Sequence, residues 1–361
     1  MSSSKFTNAG LTVEDLGLER YGNGHGSTEN GNGYRPPSKL NGHMNSKAHH
    51  DSSNGHHRHQ QDDTPLPLRG NVVNPYTFEV LSESAKYIME RISVSPKIAI
   101  ICGSGLGSLA TILDEKIDFP YEQIPHFPQS TVPGHAGKLV VGKMGKVPVI
   151  CMQGRFHYYE GYPLWKCAMP IRVFKLLGVE MLVVTNAAGG LNPDYKVGDI
   201  MILKDHINFP GFSGESFLRG PNDDRFGPRF VALNSAYDTE LRKLGKSVAS
   251  ELGMNDFVHE GVYTMVGGPT FETVAELRLM KLLGIDAVGM STVPEVIAAR
   301  HCGIKCFGFS LITNECVTSY DTDDEPDHAE VMEAASRRQD DLIRFVTSFI
   351  DSVKSAELLS K

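Results

Sequence analysis

No run of about 18 apolar residues occurs in the 361-residue chain, which argues against a membrane-spanning helix of the usual length. No two cysteines have the C-x-x-C spacing of a zinc site. The first ten residues, MSSSKFTNAG, lack the charged and apolar regions of a signal peptide. Positive charge is in deficit as well. With 35 Lys and Arg against 43 Asp and Glu, the net charge is −8, which speaks against a general nucleic-acid footprint. There is no internal repeat. These absences fit a cytoplasmic protein whose six cysteines (Cys102, Cys151, Cys167, Cys302, Cys306 and Cys316) sit mostly in apolar runs and stay reduced.

Apolar residues are also sparse over residues 1–73, which are rich in Gly, Asn, Ser and His. Such a segment buries too little apolar surface to offset its ordering entropy, so a disordered N-terminal tail is expected. Basic and acidic residues balance there, so the negative charge belongs to the rest of the chain. Its histidines (His25, His43, His49, His50, His56, His57, His59) could ligate a metal. A solvated low-complexity segment is the simpler account of them, and no metal is assigned.

From residue 74 the pattern is globular. Phe78, Leu81, Ala85, Ile88 and Ile92 recur at helical spacing. Lys97–Cys102 reads as a buried strand. Further strands are expected over 139–141, 147–152, 181–185, 200–203, 262–266 and 306–313, and helices over 164–177, 239–252, 273–283, 293–300 and 328–353. Strands mostly alternate with helices, which predicts a single α/β domain over 74–355. A mixed central β-sheet would be flanked by helices, with a short C-terminal tail at 356–361.

Ala99-Ile-Ile-Cys-Gly-Ser-Gly-Leu-Gly-Ser108 joins the first strand to a glycine turn. The dinucleotide fingerprint needs G-x-G-x-x-G, yet Ser108 stands at the third glycine and no acidic residue follows in a clear βαβ unit. Two readings remain: a plain tight turn, or an anion nest in which backbone N–H groups and Ser104 converge. Gln153-Gly-Arg-Phe-His157 favours the anion, because Arg155 offers a planar fork and His157 lies two residues on, on the same side of an extended backbone. Gly289-Met-Ser-Thr292 precedes a helix; Ser291 could reach an anion, while Thr292 reads as the helix N-cap.

GSGLGS, TVPGHAGKL (131–139), QGRFHYYEGYPLW (153–165), VTNAAGGLNP (184–193), GGPTFETVAE (267–276), VGMSTVPEV (288–296) and FSLITN (309–314) occur in this order. Over residues 74–354 the chain resembles the trimeric purine nucleoside phosphorylases, in particular the animal, 6-oxopurine-selective branch. The resemblance implies the nucleoside phosphorylase fold and a homotrimer. It also implies reversible phosphorolysis of purine nucleosides to free purine and ribose 1-phosphate in purine salvage, with phosphate as a substrate and no cofactor. It implies a phosphate site at Ser104, Arg155, His157, Ala187 and Ser291, with His135 as a gate or else a structural loop residue. Ribose contacts would come from Tyr159, Met290 and His328, and from Phe230 of a neighbouring subunit. Ala187, Phe271, Glu272 and Asn314 would hold the purine, shaped by Val266 and Gly189, with Tyr263 and Val331 at the edge.

The residue types suit that chemistry. Bound phosphate would attack C1′, so no covalent enzyme nucleophile is needed and the protein orients and stabilises charge. Asn314 can donate to N7, and an ionised Glu272 can accept from N1–H, which hypoxanthine and guanine carry and adenine does not. The implied catalytic group is thus Asn314, Glu272, His157 and His328. Asp327-His-Ala-Glu330 reads as a capping box, with His328 held neutral at the positive end of the last helix. A related alternative is a methylthioadenosine phosphorylase, which would favour a small apolar residue in place of His328. Another is a catalytically silent purine-binding protein, which should have lost some of these residues. Glu315, Asp327 and the N-terminal tail depart from the family pattern.

Overall fold

The computed structural model describes residues 74–132, 136–324 and 328–359, with the backbone alone at 328 and 329. In chain order the elements are α1 (Phe78–Met89), β1 (Ile98–Cys102), β2 (Asp114–Pro120), β3 (Lys138–Met144), β4 (Val147–Gln153), α2 (Leu164–Cys167), α3 (Met169–Leu176), β5 (Met181–Gly190), β6 (Ile200–Asn208), α4 (Phe209–Phe212), α5 (Thr239–Glu251), β7 (Val258–Met265), α6 (Val274–Leu282), β8 (Ala287–Gly289), α7 (Val293–His301), β9 (Lys305–Glu315), α8 (His328–Arg337) and α9 (Gln339–Ser355). The expected tail at 1–73 lies outside the described residues.

The strands form one mixed sheet in the order β2-β3-β4-β1-β5-β8-β7-β6-β9. β9 pairs with β6 in antiparallel and with β5 in parallel fashion. The part from β5 to β9 therefore closes on itself as a ring, while β1 to β4 continue as an open sheet. The central strands are continuous apolar runs because both faces are covered: β1 is buried at every position, and β9 at all but its ends. Residues of α1, α3 and α7 share one core cluster, those of α5 and α9 another. In α9, Leu342, Phe345, Val346, Phe349, Ile350 and Val353 are the buried residues, a stripe at helical spacing. Phe349 stacks on Phe307 of β9 with ring centroids 4.1 Å apart.

Several expectations need correction. The helix expected over 164–177 is two, α2 and α3, because Pro170 near the start of α3 has no N–H for a continuing ladder. The one expected over 328–353 breaks at Arg338, whose Nε donates to Gly198 O at 2.9 Å and whose guanidinium lies over the Phe257 ring. β2 was not anticipated, since its residues DEKIDFP are mostly exposed at the sheet edge. The residues after α9 are not simply a tail, for Leu358 and Leu359 pack on the α5–α9 core. The dinucleotide reading finds no basis. β1 runs into a 3-10 turn (Gly107–Ala110) and then the edge strand β2, which pairs with β3 and not with β1, with no α-helix between them to offer its N-terminus to a pyrophosphate.

Candidate active site

The carboxyl ends of β1, β4, β5, β8 and β9 lead into the wall of one cavity of about 310 Å³, where open α/β sheets commonly leave their crevice. Its wall brings together Ser104, Arg155, His157 and Ser291 with Phe271, Glu272 and Asn314. Tyr159, Ala187, Gly189, Met290 and Val331 also line it. A larger hollow of about 640 Å³ shares Thr313 and Asn314 and is bordered by the 315–324 segment and α8. Its charged residues are Glu315, Asp324, Glu330, Glu333 and Arg337. Of the two, the smaller cavity has Arg155 in its wall.

Arg155 follows β4 and is 1% exposed. Its Nε donates to Glu295 Oε1 at 2.9 Å. Its Nη1 donates to Thr185 O at 2.6 Å and to Ser291 Oγ at 3.1 Å. Nη2 is buried with no hydrogen-bond partner. A buried unsatisfied charged donor costs more than the 1–3 kcal/mol of a neutral one, and an anion in the cavity would supply the missing acceptor.

His157 Nδ1 lies 3.0 Å from Glu160 Oε1, which also accepts from the His157 backbone N–H at 2.8 Å. Glu160 Oε2 accepts from Thr131 N–H and Oγ1–H at 2.9 and 2.6 Å. Burial pushes the Glu160 carboxyl up, but the hydrogen bonds from His157 and Thr131 outweigh it and hold its pKa at about 2. A carboxylate at Nδ1 makes that nitrogen the donor, and the ring stacks on Tyr159 with centroids 4.6 Å apart.

Ser291 and Thr292 join β8 to α7. Thr292 does not cap α7 with its side chain, contrary to the N-cap reading. It has φ 76° and ψ −49°, and Val293 N–H donates to Ser291 O at 2.9 Å. That is a γ-turn with positive central φ, a rare and strained conformation, here on a β-branched residue. Backbone strain of this kind costs roughly 1–3 kcal/mol and persists only where the surroundings enforce it. Asn186 Nδ2 of β5 donates to Thr292 Oγ1 at 2.8 Å, and Tyr263 Oη donates to Ser291 O at 3.3 Å.

Glu272 is half-buried, and burial, with a smaller push from the Glu276 charge and against a backbone hydrogen bond that lowers it, raises its pKa above the ordinary 4.5. Asn314 is buried at the end of β9, and Thr313 Oγ1 donates to its Oδ1 at 3.3 Å. Gly189 leaves room for this amide, since a Cβ there would stand 2.8 Å from Cys316 Sγ and 3.3 Å from Asn314 Nδ2.

Other residues singled out from the sequence lie elsewhere. Tyr263 is fully buried and braces Ser291 from below the cavity, not at its edge. Val266 packs in the cluster around Leu277 and donates its N–H to Gly289 O at 2.9 Å. Phe230 is 88% exposed and not part of its own chain's cavity wall. His135 and Asp327 lie outside the described residues, as does the side chain of His328, whose backbone opens α8. Asn186, Thr292 and Glu295 were not anticipated as site supports. Their roles depend on contacts between distant segments, and only the polar Asn186 inside the apolar run of β5 hinted at one.

The ring-closed mixed sheet thus brings a buried, incompletely satisfied arginine, a carboxylate and an amide into one cavity wall. The family model described as the phosphorylase superfamily matches residues 97–351. A purine nucleoside phosphorylase of Bos taurus is 54% identical over 282 residues, covering 78% of this chain and 98% of that one. One of Anopheles gambiae is 54% identical over 278 residues, covering 77% and 79%. The crystal structure of Schistosoma mansoni purine nucleoside phosphorylase in complex with inosine is 48% identical with a TM-score of 0.73, covering 76% of this chain and 96% of that one. The chain belongs to the purine nucleoside phosphorylase family.

Proposed function

We propose that the chain catalyses reversible phosphorolysis of 6-oxopurine ribo- and deoxyribonucleosides, inosine and guanosine, to free purine and (deoxy)ribose 1-phosphate. The observation that carries this reading is the buried, unpartnered Arg155 Nη2 in the wall of the cavity that also holds Glu272 and Asn314. Structures of the Schistosoma mansoni relative hold inosine and, for its isoform 2, ribose 1-phosphate with cytosine. Methylthioadenosine phosphorolysis is not favoured, because Glu272 and Asn314 suit a purine with N1–H.

In this reading Ser104, Arg155, His157, Ser291 and the Ala187 backbone hold phosphate, with His135 at its entrance. Tyr159, Met290 and His328 hold the ribose. A phosphate oxygen attacks C1′ as the C1′–N9 bond breaks, and the electron pair moves into the purine. Asn314 donates to N7 and Glu272 accepts from N1–H, so charge growing on the leaving base meets fixed dipoles. Phosphate is the second substrate, so the reaction uses no cofactor. The active unit is a homotrimer in which exposed Phe230 closes a neighbour's ribose pocket. Catalysis resides in residues 74–355, and residues 1–73 take no part. Six free cysteines, five of them buried, support a cytoplasmic location.

The test is hypoxanthine release from inosine with and without phosphate. Release that requires phosphate and yields ribose 1-phosphate is the expected result. Release without phosphate, or none, discards the reading.

A further inference from the structure

Ser291 Oγ accepts from Arg155 Nη1 at 3.1 Å and lies 3.3 Å from Thr292 Oγ1. Thr292 Oγ1 in turn accepts from Asn186 Nδ2 at 2.8 Å. Asn186 is 1% exposed and Thr292 fully buried. An amide nitrogen can only donate, whereas a hydroxyl has one hydrogen and two lone pairs. Thr292 takes the Asn186 hydrogen, and because the buried Thr292 hydroxyl has no acceptor besides Ser291 Oγ among the described residues, its own hydrogen is satisfied only by pointing to Ser291. Both Ser291 lone pairs are then engaged, by Arg155 and by Thr292, and only its hydrogen remains, in the wall of the cavity.

We propose that Asn186 and Thr292 are positioning residues that order the Ser291 hydroxyl as an obligate hydrogen-bond donor to the substrate anion. The inference rests on the phosphate-site reading above. The γ-turn at Thr292 follows from the same arrangement. A helix entering with ordinary backbone would let Thr292 cap α7, and its hydroxyl would then be unavailable to relay the Asn186 proton. Asn186 reaches across from β5, which holds the turn in its strained form. The carboxylate-free relay matters because a dianionic ligand has only acceptors to offer, so a serine with a free choice of rotamer loses part of its binding to reorientation.

Four single variants and one double variant test the relay, each checked for an unchanged oligomer and melting profile before kinetics. Thr292→Val keeps shape and removes the hydroxyl. Asn186→Asp keeps shape and makes the side chain an acceptor, drawing the Thr292 hydrogen away from Ser291. Both should raise the phosphate KM about tenfold, the size of one lost hydrogen bond to a charged group, with the inosine KM within about twofold. Thr292→Ser should restore the phosphate KM. Ser291→Ala should set the ceiling, and adding Thr292→Val to it should cause no further rise. If Thr292→Val does not fold, Asn186→Asp against Asn186→Ser carries the comparison. An unchanged phosphate KM in a phosphate-dependent parent, equal losses for both substrates, or additive effects in the double variant would overturn the relay alone. A parent whose inosine cleavage ignores phosphate overturns both the relay and the reading beneath it.

Discussion

Arg155 and Glu295 form an ion pair of 2.9 Å in which neither side chain is more than 5% exposed. The pair ties the end of β4 to the first turn of α7. It occupies Nε and fixes the guanidinium in the wall of the cavity, where Nη2 is left without a partner. A buried pair of this kind contributes little over an apolar replacement, but removing one partner strands a charge. Glu295→Ala should therefore cost about 3–5 kcal/mol of stability, while Glu295→Gln, which keeps an acceptor for Nε, should cost clearly less. Urea midpoints of the two variants check this. Equal losses would mean that the charge of Glu295 contributes nothing beyond its shape.

Glu160 ties acid stability to the same site. Its folded pKa of about 2 lies below the ordinary 4.5. A carboxyl lowered in this way contributes stability that is present above 4.5 and lost as pH falls toward 2. The size is on the order of 3 kcal/mol when complete. Glu160→Gln should be less stable than the parent at pH 7, and the gap should narrow between pH 4.5 and 2. Thermal melts across that range measure it. A gap that stays constant with pH would show that the carboxylate charge is not what His157 and Thr131 hold.

Much of this was legible in the sequence, and what was not has a physical reason. β1 and α9 declared themselves through unbroken and 3.6-periodic apolar patterns, because their burial is local to the element. Arg155, Glu272 and Asn314, each singled out from its motif, line one cavity, at or just beyond the end of a strand or in the loop after β7. β2 gave no apolar signal because an edge strand is stabilised by pairing more than burial. The γ-turn at Thr292 could not be read, since the residue that enforces it, Asn186, is 106 positions away. In sequence, a threonine before a helix reads as a cap; only the sheet brings Asn186 beside it.

Phe230 presents an 88% exposed aromatic ring, which is unusual for an isolated chain. If it closes a neighbour's ribose pocket, burying the ring contributes roughly 1.5–3 kcal/mol to nucleoside binding. Phe230→Ala should then raise the inosine KM about tenfold or more, leaving the phosphate KM nearly unchanged. Light scattering should give a mass of three chains. Full activity from a proven single chain would discard the shared site.

Selectivity for the base should rest on Glu272 and Asn314. Hypoxanthine and guanine present a donor at N1 and an acceptor at O6; adenine presents an acceptor at N1 and a donor at N6. An ionised Glu272 meets the first pattern, and the Asn314 amide can donate to N7 or O6. Adenine, which keeps the N7 acceptor, still leaves Glu272 facing an acceptor at N1 and sets its N6 amino group against an Asn314 N–H aimed at O6, at roughly 1–3 kcal/mol each, so inosine should be preferred over adenosine by about a hundredfold or more in kcat/KM. Binding alone is a poor guide, since a Schistosoma mansoni relative 49% identical to this chain holds adenosine in its crystal structure. The raised pKa of Glu272 adds a pH signature. As pH falls through a value above 4.5, Glu272 takes a proton, loses its capacity to accept from N1–H, and inosine kcat/KM should drop; Glu272→Gln should remove that limb along with most of the activity. Asn314→Asp should place a carboxyl that, when protonated, can donate to N7 and accept from N6. Adenosine kcat/KM should then rise as inosine kcat/KM falls. The deciding measurement is kcat/KM for both nucleosides in the parent and in Asn314→Asp across pH 5 to 8. A parent that cleaves both equally well, or a ratio that does not move in the variant, would show that selectivity arises elsewhere in the cavity.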